Sequence, residues 1–165
     1  IAHTVVKGST GQVGTIGFAA ERNSDGQKGY VTAGHVTWFQ TGLPVSQPIN
    51  SENGTGTASK VGINTDAAFV PYNDVLAKIH IGGGNLIDVD GYYSGGISSM
   101  VLKKSGCVSG HVIGDYLMVL TGATVNGTFM YKIEVMSTGC SEVDSGGPVY
   151  ATYYNNNRLV GIICA

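Results

Sequence analysis

Apolar positions along this chain fall in short runs rich in β-branched and aromatic residues, each closed by glycine, asparagine, aspartate or serine. Such runs are QVGTIGFAAE (12 to 21), GYVTAG (29 to 34), DAAFVPY (66 to 72), LIDVDGYY (86 to 93), SMVLKK (99 to 104), DYLMVL (115 to 120), TFMYKIEVM (128 to 136) and RLVGIIC (158 to 164). In TFMYKIEVM, Phe129, Tyr131, Ile133 and Val135 alternate with more polar neighbours, the period of a strand with one buried face. Many such strands at close spacing predict an all-β antiparallel barrel or sandwich. No convincingly capped helix is present; NDVLAKIHI (73 to 81) alone has some helical character, and it is short. The glycine-rich GGGNLIDVDGYYSGG (82 to 96) reads as a connection between two halves, and ENGTGT (52 to 57) and NNN (155 to 157) as loops or hairpin tips.

Composition narrows the class. With 165 residues and 42% hydrophobic content the chain can bury a core, which argues against disorder. Only 12% of residues are charged and 26 are glycine, a profile of tight turns between short strands. A net charge of −2 without a basic stripe excludes nucleic acid as an expected partner. No apolar run approaches the roughly 20 residues of a membrane helix, so no membrane partner is expected. The start at Ile1, with neither initiator methionine nor signal peptide, suggests a processed or trimmed chain. Cys107, Cys140 and Cys164 lack CxxC spacing, so no metal or other cofactor is expected, and at most one internal disulfide.

Chemistry concentrates in three stretches. SEVDSGGPV (141 to 149) places Ser145 between an aspartate and two glycines, which suits a turn but also lets a substrate backbone approach closely. A serine hydroxyl is inert at neutral pH and needs a base. In YVTAGHV (30 to 36) a β run ends at Ala33-Gly34 and His35 follows, whereas His3 is near a terminus and His80 and His111 lie within strand-like runs. A carboxylate must then orient the imidazole from shelter. Asp66 heads the apolar run Ala67, Ala68, Phe69, Val70, while Asp25, Asp74, Asp88, Asp90 and Asp115 sit in looser contexts.

TAGH (32 to 35), TDAAFV (from 65) and DSGGPV (144 to 149), in the order His, Asp, Ser, resemble the chymotrypsin-like serine proteases, and within them the small secreted bacterial branch of the streptogrisins and α-lytic protease. KKSGCVSGHVIG (103 to 114) looks like the strand and turn that open the second barrel of that family. The resemblance implies two antiparallel six-stranded β-barrels, residues 1–82 carrying His35 and Asp66 and residues 83–165 carrying Ser145, with the site in the cleft between them. It implies a secreted serine endopeptidase acting on polypeptides through a Ser-His-Asp triad.

The same resemblance assigns the remaining site residues. The oxyanion hole would be the backbone N–H groups of Ser145 and Val143, where the family normally has glycine at the second position. A β-branched valine resists positive φ, so that amide is expected to point the wrong way in the free protein. Asp144 would pair with a buried cation, either Lys103 or Lys104 or the Ile1 amine, the lysines being favoured. Thr138, Gly139, Cys140, Ser141 and Cys164 would wall the substrate pocket, and the absence of an acid among them implies a neutral side chain before the cut. In relatives a cysteine just before the nucleophile loop forms a disulfide, which makes Cys140 the natural first partner, but Cys164 aligns within a strand near Asp66. The chain ends at Ala165, where family members continue with a further hairpin and helix, so the second barrel is cut short and a docked C-terminal fragment is expected. The competing readings are a non-catalytic binding protein on the protease fold and an unrelated β-sandwich module, which would leave His35, Asp66 and Ser145 far apart.

Overall fold

A computed structural model describes residues 5–8, 10–47, 56–62, 64–125 and 127–165. Ile1 and His3 lie outside these residues, as do 52–55 of the anticipated loop. The described chain is β-structure and turns with two short 3₁₀ segments, His35–Thr37 and Glu142–Asp144.

The N-terminal half contributes β1 (Val5–Gly8), β2 (Val13–Thr15), β3 (Phe18–Glu21), β4 (Lys28–Thr32), β5 (Pro44–Ser46), β6 (Gly56–Thr57), β7 (Lys60–Val61) and β8 (Ala68–Pro71). They form two antiparallel four-stranded sheets, in the orders β2-β1-β5-β6 and β3-β4-β8-β7. Val6, Tyr30, Val36, Val45 and Val70 fill the core between them. A hairpin of β9 (Lys78–His80) and β10 (Leu86–Asp88) follows. The C-terminal half is one five-stranded sheet of β11 (Val101–Gly106), β12 (Gly110–Val125), β13 (Thr128–Met136), β14 (Pro148–Tyr153) and β15 (Asn156–Ile162), ordered β13-β12-β11-β14-β15. It is an open half-barrel, and the overall architecture is all-β. Leu102 and Ala151 anchor its apolar face.

Several elements differ from the sequence reading. The run 12 to 21 is two strands, because the chain turns at Ile16-Gly17, where the Gly17 N–H bonds to Val31 O at 2.8 Å and a Cβ would collide with that carbonyl and with Gly146 O. Residues 78–80 of the segment with helical character form β9: only Ile79 is fully buried, and Lys78, Ile79 and His80 pair with Asp88, Ile87 and Leu86 of β10. The connection 82 to 96 itself supplies β10 and a bridge from Tyr92 to Leu159. The turn expected at 155 to 157 sits one residue earlier, at Tyr154-Asn155 (φ 47° and 64°), and Asn156 and Asn157 already belong to β15. Gly56 and Thr57, anticipated in a loop, form β6.

Candidate active site

His35 opens a 3₁₀ turn three residues after the end of β4, and Asp66 stands two residues before β8. β4 and β8 are hydrogen-bonded neighbours, with Thr32 opposite Ala68, so the ends of these two strands bring the two side chains together. Gly34 is needed between them, since a Cβ there would press on the Phe39 ring and the Ala67 amide. The His35 Nδ1 and Asp66 Oδ2 are 2.6 Å apart, and the His35 N–H donates to Asp66 Oδ1 at 2.8 Å. Two bonds from one residue to both oxygens fix the ring against the carboxylate. The Cys164 thiol donates to the same Asp66 Oδ2 at 3.1 Å. Burial works to raise the Asp66 pKa, but the His35 and Cys164 hydrogen bonds outweigh it and hold the carboxyl below its ordinary value. The charge of Asp66 is therefore maintained although only 6% of the residue is exposed.

Ser145 ends the second 3₁₀ turn and is fully buried. Its carbonyl accepts from the Thr15 N–H at 2.7 Å, tying the loop to β2 across the two halves. The following Gly146 has φ 91°, and a Cβ on it would lie 2.5 Å from Thr32 Oγ1 and 2.6 Å from the Ala33 amide nitrogen. Glycine is required there because the protein's own backbone approaches, not because of a substrate; Gly147 is likewise packed on Ser105 O. Gly146 thus seats the serine loop against the strand end that leads to His35. The Ser145 hydroxyl donates to Ala165 O at 3.0 Å and lies 3.2 Å from the Ala165 nitrogen.

The Ser145 N–H, an expected oxyanion donor, is directed into the loop instead, toward Glu142 O at 3.2 Å. The Asp144 N–H donates to Ser141 O at 2.9 Å, and Val143 is not among the residues of positive φ. The Val143 carbonyl accepts from Thr15 Oγ1 at 2.8 Å and from the Cys107 thiol at 3.2 Å.

Asp144 is completely buried and holds the loop from inside. Its Oδ1 accepts from the Val108 and Ser109 amides at 2.9 and 3.1 Å, and its Oδ2 from the Ser141 amide at 2.9 Å. Burial pushes this carboxyl up, yet the amide and hydroxyl donors overcome it and bring the pKa down to about 2. The cation beside it is Lys104, 1% exposed, whose ammonium is 3.5 Å from Asp144 Oδ2 and 2.7 Å from Ser109 Oγ. Lys103 points to the other face of β11, bonding Thr152 Oγ1 at 2.7 Å. The Ile1 amine lies outside the described residues.

A cleft of about 570 Å³ opens beside these groups, lined by Gln12, His35, Trp38, Glu142, Val143 and Ala165, among others. Thr138, Gly139, Cys140, Ser141 and Cys164 are not among its lining residues; Ser141 caps the 3₁₀ turn and Cys164 binds Asp66. All three cysteines are free, so the disulfide implied for Cys140 is not formed, and Cys164 is engaged with a carboxylate instead. Thr15 and Cys107 escaped the sequence reading, because their partner Val143 is 128 and 36 positions away and neither residue sits in a motif. Among the described residues no cluster of acidic, histidine or cysteine side chains is arranged to hold a metal ion. No described helix is long and apolar enough to cross a membrane.

No protein-family model matches the chain, and no curated protein does. Solved structures match over nearly its whole length. A chymotrypsin from Cellulomonas bogoriensis is 23% identical with a TM-score of 0.73, covering 95% of this chain and 79% of its own. A Nocardiopsis protease is 25% identical with a TM-score of 0.75, over 95% and 80%. A glutamic acid specific serine protease, described as using a histidine triad in substrate binding, is 20% identical with a TM-score of 0.76, over 98% and 82%. The fold is that of the bacterial chymotrypsin-like serine proteases.

Proposed function

We propose that the protein is a serine endopeptidase in which Ser145 is the nucleophile, His35 the general base and Asp66 the group that orients it. The observation that carries this reading is the buried carboxylate fixed to His35 at 2.6 Å, at the strand end against which the Ser145 loop is seated. The Ser145 Oγ attacks a peptide carbonyl carbon while its proton passes to the distal nitrogen of His35. The proton then goes to the leaving amine as the C–N bond breaks, and a water, deprotonated by the same imidazole, releases the acyl group. Asp66 keeps the imidazole in the tautomer with the proton on Nδ1 and stabilises the imidazolium. The backbone amides of Val143 and Ser145 are the oxyanion donors once the Ser145 N–H is released from Glu142 O. Domain 1–82 supplies base and carboxylate, domain 83–165 the nucleophile. The substrate is a polypeptide with a neutral side chain before the cut, and the site of action is extracellular.

Replacing Ser145 by alanine is expected to abolish casein hydrolysis, and a phosphonofluoridate is expected to label Ser145 alone. Casein hydrolysis by Ser145→Ala at the parent's rate would refute the assignment. A second reading, a non-catalytic binding protein on this fold, is favoured by the Ser145 N–H being engaged by Glu142 O. It expects neither turnover nor labelling from a correctly folded chain.

A further inference from the structure

The loop Ser141–Asp144 is a turn closed by the Asp144 N–H on Ser141 O at 2.9 Å, with Glu142 and Val143 as its two central residues. Turns of this kind have two forms that share the closing bond and differ by a half-rotation of the central peptide. The second form demands positive φ at the second central residue, hence glycine. Here that residue is Val143, its φ is not positive, and the peptide is in the first form. In this form Glu142 O takes the Ser145 N–H.

Both neighbours of that peptide are held. The Val143 carbonyl of the following peptide is clamped by Thr15 Oγ1 and the Cys107 thiol, and the Ser141 carbonyl of the preceding one by the Asp144 N–H. The Glu142–Val143 peptide is therefore the unit left to rotate, and rotation withdraws Glu142 O from Ser145 while reversing the Val143 N–H. Both oxyanion donors change state in one movement.

We infer that Val143 is a positioning residue that latches the oxyanion loop closed, and that a half-rotation of the Glu142–Val143 peptide, opposed by the Cβ of Val143, opens it for catalysis. The inference rests on the protease reading of Ser145. The latch sets how much of the protein is competent at any moment and leaves binding of the peptide side chains unaltered. It therefore acts on kcat more than on KM.

Val143→Gly removes the Cβ that resists left-handed φ and is expected to raise kcat on a peptide amide substrate by about 5- to 30-fold, the population ratio corresponding to that conformational cost. KM should change little. Val143→Ala trims the branch but keeps the Cβ, and gives a smaller rise. A side chain that merely packs would instead lower activity in both variants. Amide hydrogen exchange at Ser145, followed by NMR, reports the loop independently of turnover: protection should fall in Val143→Gly as the bond to Glu142 is lost. Equal protection of Ser145 in parent and Val143→Gly overturns the latch, whatever the activities. Lost protection with an unchanged or lower kcat in an active enzyme also overturns it. Lost protection in proteins that neither hydrolyse peptide nor react with a phosphonofluoridate supports the rotating peptide and rejects the protease reading.

Discussion

Removing the charge of Asp144 tests the inner support of the serine loop. Its carboxyl is lowered from the ordinary 3.8 to about 2, and at about 1.4 kcal/mol per unit this corresponds to about 2 kcal/mol of stability. Because the folded pKa is depressed, that stability is present in full above the unfolded value of 3.8 and is lost as pH falls toward 2. Linkage places about half of the loss by about pH 3. Asp144→Asn keeps the shape but has one acceptor oxygen in place of two, so either the Val108 and Ser109 amides or the Ser141 amide and the Lys104 ammonium face an NH2 group, and it removes the charge opposite a buried ammonium whose remaining described partner is Ser109 Oγ. Breaking a buried pair this way costs about 3–5 kcal/mol. Urea unfolding of parent and Asp144→Asn between pH 7 and pH 3 measures the difference at each pH, and the other carboxylates, common to both, cancel. The gap is expected to be 3–5 kcal/mol at neutral pH and to narrow by about 1 kcal/mol at pH 3. A gap that stays constant over this range, or is under about 1 kcal/mol at neutral pH, refutes the reasoning.

Other perturbations follow from single contacts. Cys164→Ala deletes the thiol donor to Asp66, whereas Cys164→Ser keeps a donor; kcat/KM on a peptide substrate is expected to fall about 10-fold further in the alanine variant, the worth of one hydrogen bond to a charged group. Equal values for both would show that the donor is irrelevant. Gly146→Ala puts a Cβ against Thr32 Oγ1 and the Ala33 amide at φ 91° and should cost more than about 3 kcal/mol, a fall in melting temperature of about 6–12 °C. A shift under about 2 °C would contradict the packing described. Gln47 is buried and its Nε2 has no partner among the described residues, so Gln47→Leu should raise stability by about 1 kcal/mol in a thermal melt; a loss of that size would mean the amide is satisfied in solution.

The site was legible where a short motif coincides with a strand end. TAGH and TDAAFV mark the ends of two strands that turn out to be paired, and this pairing places His35 on Asp66. The choice between the two lysines was also present in the sequence as a parity. In β11 the side chains alternate, Leu102 is inward, and Lys104 shares its side while Lys103 does not. What was not legible depends on contacts between distant segments. The glycines after Ser145 read as room for a substrate, yet the space is taken by Thr15, Thr32 and Ser105, from strands far away in sequence. Spacing gives no sign of the Thr15 and Cys107 bonds to Val143 either.

These distant contacts change what the loop sequence means. A buried carboxylate, a buried ammonium and two side-chain donors, one from β2 and one from the turn after β11, hold the segment around Ser145 almost everywhere, which localises its remaining freedom in one peptide. In a loosely held loop a valine in place of glycine would be absorbed by small adjustments of many dihedrals. In this one the neighbours cannot share the strain, so the full cost of positive φ falls on Val143. The rigidity of the loop thus turns one Cβ into the determinant of which way the Glu142–Val143 peptide faces, and with it of whether the Ser145 N–H is held by Glu142 O or released.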